Sequence, residues 1–401
     1  MMTRFLPFKS VATTAIALGA LGALCAGARL AEAATYLQTD LVSDIPGLAT
    51  LTDPNLTNTW GVSHLPGSPF WISNQGTNTS SLYTVTGSTG VSKPNFFPGN
   101  TVDIPTSGVG PQGPTGQVAN SGTSFGIAGG PALFIFANLN GTISAWNLSN
   151  INHTTNAATI EWTTPGALYT GLAINQANTM LYAANSASAG GINVYNSSFV
   201  PVSLGAGAFA TPAAISAKGL VPFNVDDIGG SVYVTYAPSG HTAQAQAAAG
   251  AGAVAVFNES GVLRKTLVGS ASVPLAAPWG VALAPATFGK FGGDLLVGNF
   301  SYFNSEINAF NPMTDAFEGS ISINDGPHNA PGGLWSLLFG SGGTGSPNTL
   351  YFTDGINNEN AGLFGAITSV PEPSTWVMML LGLGGLGLAA GRRRRTPLAI
   401  G

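Results

Sequence analysis

The sequence predicts an all-β fold, a six-bladed β-propeller, flanked by an N-terminal signal peptide and a single C-terminal transmembrane helix. Three observations predict the propeller: a composition that is polar without being charged, a period near 55 residues, and three or four strand-like runs in every period. Only 7% of the 401 residues are charged, against about a quarter in ordinary globular chains. Polarity comes instead from Gly, Asn, Ser and Thr, which favour turns and strands over helix interiors.

The first landmark of the period is an aromatic residue or Thr, followed by a small or polar residue and an apolar run. It recurs at Trp60-Gly61, Thr115-Gly116, Thr170-Gly171, Phe223-Asn224, Trp279-Gly280 and Trp335-Ser336, at spacings of 55, 55, 53, 56 and 56 residues. A second strand follows each landmark: Phe70 to Asn74, Leu133 to Asn138, Leu181 to Asn185, Val232 to Tyr236, Leu295 to Asn299 and Leu350 to Asp354. A third strand comes after a Gly- or Ser-containing loop, and four of the six end in aromatic-Asn: Trp146-Asn147, Tyr195-Asn196, Phe257-Asn258 and Phe310-Asn311. Asn after a strand is a turn former. One such unit cannot bury both of its faces, whereas six in a ring cover each other. The strand-like Tyr36 to Val42 is expected to close the ring as the outer strand of the last blade, removing an open edge. A β-sandwich lacks a super-period of this length, and β-helix coils repeat at shorter intervals.

The ends read differently. Arg4 and Lys9 precede a small, apolar stretch from Val11 to Ala28, and Ala31-Glu32-Ala33 fits an A-x-A cleavage site. Residues 1–33 are therefore expected to be a signal peptide handled by the Sec export machinery, and residues 34–369 the propeller. Leu24 ahead of Cys25 argues against a lipoprotein signal, and Cys25 is the one cysteine of the sequence, so the mature chain has no disulfide and no thiolate nucleophile. At the other end Pro371-Glu372-Pro373 is followed by an apolar stretch from Trp376 to Gly391 and by Arg392, Arg393, Arg394 and Arg395. The prolines oppose helix, the apolar stretch is just long enough for a bilayer, and the arginines hold the far end in the cytoplasm. Residues 396–401 form a short cytoplasmic tail.

This tripartite tail, residues 370–395, resembles the PEP-CTERM sorting signal of exported bacterial proteins. The resemblance implies an exosortase-type processing enzyme as partner, transient anchoring in the inner membrane, and a final place at the cell surface or outside the cell. The run Asp53 to Gly61, the stretch Leu133 to Trp146, the block Ala277 to Ala286, and Leu350 to Asp354 with Gly362 to Gly365 resemble an uncharacterised family of exported, propeller-like proteins. That likeness implies the fold and no catalytic role. The chain departs from the family's pattern at Asn147, Asn196, Asn258 and Asn311, where Asp is expected, which weakens any metal role for those loops.

Charge excludes one function class. Three of 12 basic residues lie at the N-terminus and four at the C-terminus, while Glu32 and Glu372 are the acids of the end segments; the middle keeps 15 acids against five bases, a net charge near −10. Such a surface does not release counterions from a phosphate backbone, so no nucleic-acid partner is expected.

In a propeller the first strand starts, and the second ends, at one mouth of the ring. Asn74, Asn138, Asn185, Tyr236, Asn299 and Asp354 are thereby expected around that mouth with Trp60, Trp279 and Trp335, a set of amides and aromatic faces suited to an extracellular polysaccharide. The same residues have a structural reading, with tryptophans packing and asparagines closing turns. Asp226 and Asp354, with Asn185 and Asn299, are the oxygens available to a cation, suiting Ca²⁺ or Mg²⁺ rather than zinc. No other cofactor is indicated. His64, His153, His241 and His328 have no paired metal spacing, though His328 lies on the mouth side. No G-x-S-x-G elbow is present, and Asp354 to Glu359 is too short for an EF-hand loop. The Ala/Gly stretch from Thr242 to Ala253 reads as a flexible insertion. Three functions stay open: a non-catalytic binding or matrix component, a metal-dependent hydrolase or lactonase, and a purely structural matrix protein.

Overall fold

In a computed structural model, which describes residues 36–106, 111–151, 156–188, 190–370 and 382–383, the chain is a six-bladed β-propeller. The segment expected to be a signal peptide, the Pro-Glu-Pro motif, the apolar tail apart from residues 382–383, and the arginines lie outside the described residues. Among the described residues no helix is long and apolar enough to cross a membrane.

Each landmark lies in the inner strand of a blade: Thr59–Ser63, Pro114–Ala119, Tyr169–Ile174, Leu220–Ile228, Pro278–Leu283 and Gly333–Phe339 for blades one to six. The second strands are Phe70–Asn74, Phe134–Asn138, Met180–Asn185, Ser231–Pro238, Leu295–Asn299 and Thr349–Gly355. The third are Thr79–Thr86, Thr142–Trp146, Ile192–Asn196, Ala253–Asn258, Glu306–Phe310 and Leu363–Ser369, all pairing antiparallel with the second. Blade one carries two short outer pieces, Gly90–Ser92 and Thr101–Asp103, on one third strand. Blade three stops at three strands, with only the bridge from Tyr195 to Pro201 beyond.

The ring closes with the strand expected to close it. Tyr36–Ser43 pairs antiparallel with Leu363–Ser369 as the outer strand of blade six. Tyr36 also ties that strand to blade five, its hydroxyl donating to Phe288 O at 2.8 Å and accepting from Phe291 N at 2.8 Å.

All six inner strands shift register against their second strands at the landmark, between Thr59 and Val62 in blade one and at equivalent positions in the others. A bulge of this kind re-aims a side chain and bends the strand. The landmark glycines let neighbouring inner strands touch: a β-carbon at Gly61 would meet Thr115 O, at Gly116 Leu172 N, at Gly171 Asn224, and at Gly280 Trp335 O. Where the landmark carries a polar residue instead, that side chain makes the link. Asn224 Nδ2 donates to Trp279 O at 3.0 Å, and Ser336 Oγ accepts from Val62 N at 3.1 Å. The repeat thus encodes one inter-blade contact, made by close approach in four blades and by a hydrogen bond in two.

The aromatic-Asn positions end their strands in turns. Asn147, Asn196, Asn258 and Asn311 each accept through Oδ1 from a backbone N–H two residues on, at 2.9, 2.9, 3.1 and 3.0 Å. These oxygens are spent on turn closure.

The Ala/Gly stretch of blade four is ordered rather than flexible. His241–Ala245 is a short helix, and Ala245 and Ala247 are buried against the aromatic residues on the ring axis. Tyr302 N donates to Ala245 O at 3.0 Å, and Ser301 Oγ to Ala247 O at 2.7 Å. Small side chains are what permit this segment to lie flat on indole and phenyl rings.

Candidate functional site

The bulges aim four of the six landmark side chains into one buried cluster. Trp60, Phe223, Trp279 and Trp335 pack there with Phe300 and the alanines of the blade-four segment. Trp279 stands edge-on to Trp60 and Trp335, with ring centroids 6.3 and 5.7 Å apart, and its Nε1 donates to Thr170 O at 2.8 Å. The axis is filled by side chains from different blades, so the ring has a plug and two separate mouths.

Over the plug, where inner strands start and second strands end, lies a cavity of about 220 Å³. Its polar wall is made by Asn58, Gln75, Gln244, His241 and Glu359, with Trp60 as the aromatic surface. Asn58 and Gln75 are held in place: Asn58 Nδ2 donates to Gln75 Oε1 at 2.8 Å, Trp60 Nε1 to Asn58 Oδ1 at 3.1 Å, and Gln75 Nε2 to Gln112 O at 2.6 Å. Gln244 is buried and donates to Ser186 Oγ at 3.3 Å. His241 of the blade-four segment meets Glu359 of blade six, Nε2 to Oε2 at 2.6 Å, and this bond raises the imidazole's pKa.

Of the nine residues expected at this mouth, Trp60 lines the cavity and the others lie beneath or beside it. Trp279 and Trp335 belong to the plug, and Tyr236 packs among the apolar residues of blades three and four. Asn74 donates to Thr79 Oγ1 at 3.0 Å and Ser81 Oγ at 2.7 Å. Asn138 accepts from Asn140 N at 3.2 Å, Asn185 from Leu168 N at 3.0 Å, and Asn299 from Ala276 N at 2.9 Å. These amides fasten the loops that form the mouth. The lining residues that sequence reasoning missed stand just outside the strands: Asn58 precedes the first landmark and Gln75 follows Asn74. His241 and Gln244 lie in the long loop between the second and third strands of blade four, and Glu359 in the corresponding loop of blade six.

Beside the cavity is an acidic corner. Asp354 is fully buried with its carboxyl against that of Asp325, and Glu359 stands close by, next to the Tyr302 hydroxyl. Burial, then the neighbouring Asp325 carboxyl, pushes Asp354 well above the usual carboxylate range. Burial also raises Asp325, to about 6. Asn357, Asn358 and Glu359, which bring the third carboxylate in, all have left-handed φ of 56–63°. Such conformations cost energy and persist only where surrounding structure enforces them.

The cation set Asp354, Asp226, Asn185 and Asn299 does not assemble. Asp226 lies beyond the bulge on its inner strand and lines a cavity of 280 Å³ at the opposite mouth, with Asp227, His64, Ser63 and Gln117. It accepts from Asn224 Nδ2 at 2.9 Å, and burial pushes its carboxyl up to about 7. Among the described residues no three of His, Cys, Asp and Glu are gathered about one point as a metal site. His328 is exposed on its loop and His153 lies outside the described residues.

Comparison with known proteins adds the sorting signal. Residues 369–395 match the PEP-CTERM protein-sorting motif, the signal recognised by exosortase, which marks the chain for export and surface sorting. An uncharacterized protein of Acanthamoeba polyphaga mimivirus is similar over 280 residues at 28% identity, covering 67% of this chain and 65% of that protein. The chain thus spans just under two thirds of that relative's length.

Proposed function

We propose that this PEP-CTERM-bearing propeller is a non-catalytic binding component of the cell envelope or extracellular matrix, taking a saccharide unit of a polysaccharide in its mouth cavity. The observation that carries this reading is the pairing of the Trp60 ring with three fixed amide side chains, Asn58, Gln75 and Gln244, in one 220 Å³ cavity. An aromatic face covers the apolar side of a sugar ring, and oriented amides answer its hydroxyls as both donors and acceptors. The cavity's volume suits one ring rather than a drug-sized ligand. The closed axis beneath it supports recognition of a chain end or a projecting unit rather than threading. An exosortase-sorted protein passes through the envelope in which extracellular polysaccharides are assembled, so ligand and address agree. The family of exported, propeller-like proteins that the blade motifs resemble fits the same reading, as do Sec export and a transient membrane stage of the tail.

Tryptophan emission of the purified protein, titrated with oligosaccharides released from envelope polysaccharide, tests the proposal. Saturable quenching that Gln75→Ala and Gln244→Ala each weaken about tenfold, with unchanged melting temperature, is the expected result. A flat response to neutral and acidic oligosaccharides alike overturns it and leaves a purely structural matrix role.

A further inference from the structure

Blades two and three carry threonine at the landmark, and the two hydroxyls have different fates. Thr115 Oγ1 donates to Tyr169 O at 2.9 Å and is taken up in joining blade two to blade three. Thr170 is only 3% exposed, yet its Oγ1 has no hydrogen-bond partner among the described residues. It is the bulged residue of its inner strand, left out of the pairing between Tyr169 and Gly171, and a bulge re-aims a side chain. Thr170 lines the cavity over the plug with Trp60, Leu139 and Leu168. Its backbone is fixed at the level of the plug, since Trp279 Nε1 donates to Thr170 O at 2.8 Å, so Thr170 belongs to the cavity's floor. A threonine hydroxyl can donate once and accept twice, and a native protein rarely buries one with nothing to answer it.

We propose that Thr170 is a specificity-determining contact of this cavity, its hydroxyl answering the exocyclic hydroxymethyl group of a neutral hexose unit. The inference rests on the saccharide reading and deepens it by naming the part of the sugar that leads into the cavity. The charged groups of the cavity, His241 and Glu359, are bonded to each other, so a charged leading group would be stripped of water with no opposite charge free to meet it. A hydroxyl matches the orphaned group, because each can donate to or accept from the other. Depth selects the hydroxymethyl arm over a ring hydroxyl. An oxygen set directly on the ring is held back by the ring's own bulk, whereas one on a methylene arm extends a carbon further and lays that methylene against Leu139 and Leu168. A site that hydrogen-bonds a ligand hydroxyl discriminates against the analogue lacking it, since the protein's own group is then left unpaired.

Calorimetric titration of the purified protein with the methyl glycosides of glucose, galactose and mannose, each beside its analogue lacking the exocyclic hydroxyl, tests the assignment. The oligosaccharides released from envelope polysaccharide are titrated in parallel, as a separate check of the saccharide reading. The expected result is that at least one parent glycoside binds and its deoxy analogue binds about tenfold more weakly. Thr170→Val keeps the shape of the side chain and removes its oxygen; it weakens the parent glycoside to the level of the deoxy analogue, while Thr170→Ser retains the preference. Without sugar, Thr170→Val melts no lower than the unaltered protein, because no bond within the protein is lost. A preference that survives in Thr170→Val, equal binding of both forms by the unaltered protein, or a lower melting temperature of Thr170→Val without sugar overturns the assignment. So does binding of the envelope oligosaccharides with no response to any glycoside, and each of these outcomes leaves the saccharide reading standing. No response to oligosaccharides or glycosides overturns both.

Discussion

The indole of Trp60 lies over that of Trp335 with ring centroids 3.4 Å apart and an angle of 20° between planes. The two residues come from opposite ends of the chain, blade one and blade six, and meet on the axis of the ring. Thr353 Oγ1 strengthens the same junction by donating to Trp60 O. Ring closure is therefore made twice, at the rim by strand pairing and at the centre by stacked indoles.

Removing the inner half of that closure is expected to be costly. Trp335 is fully buried and also contacts Phe223, Phe300 and Trp279, so Trp335→Ala leaves a cavity that rings from three other blades must fill. Urea denaturation should show a loss of about 3–5 kcal/mol. Trp335→Phe retains part of the stack and should lose less.

The landmark glycines give a sharper contrast. In Gly280→Ala the new methyl group meets Trp335 O and Leu337 N of the next blade, backbone atoms that cannot step aside. Overpacking of this kind costs about 1–3 kcal/mol or more, read as a lower melting temperature. Gly126 has nothing within 4 Å of the same position, and Gly126→Ala should leave the melting temperature nearly unchanged.

Much of this was legible in the sequence because a repeat reports its own geometry. Six landmarks at near-constant spacing place the inner strands, and the residue after each landmark is Gly or a hydrogen-bonding side chain for the contact described above. The opposite placement of Asp226 and Asp354 was also available. Asp226 follows the landmark Phe223 by three residues, about 10 Å along a strand, which carries it past the plug, whereas Asp354 ends a second strand running back to the first mouth. The residues that line the cavity were not legible in the same way. His241, Gln244 and Glu359 lie in loops between second and third strands whose residues obey no period, and the strand-end asparagines share one sequence signature whether they face a ligand or fasten a turn.

The strand Tyr36–Ser43 invites a direct test of the outer closure. Its deletion leaves Leu363–Ser369 as an open edge, and open edges template association. Size-exclusion chromatography should show oligomers, and calorimetry a broadened, lower transition. Tyr36→Phe keeps the strand but removes both bonds of the hydroxyl to Phe288 and Phe291, and should cost about 1–2 kcal/mol without changing oligomeric state.

The opposite mouth predicts a pH dependence through Asp226. Its carboxyl is raised to about 7 by burial, against 3.8 for the unperturbed group, so ionisation is harder in the folded state than in the unfolded one. Stability from this group is therefore fully present below the unfolded value and lost as pH rises towards and through 7. Asp226→Asn removes the ionisation while keeping an oxygen for the Asn224 amide or the Val281 N–H. The variant should gain melting temperature over the parent at pH 8, gain less at pH 5, and show no difference near pH 3.5. Chemical denaturation across that range measures the slope; equal shifts at all three pH values would mean that the gain comes from packing or hydrogen bonding and not from the buried charge.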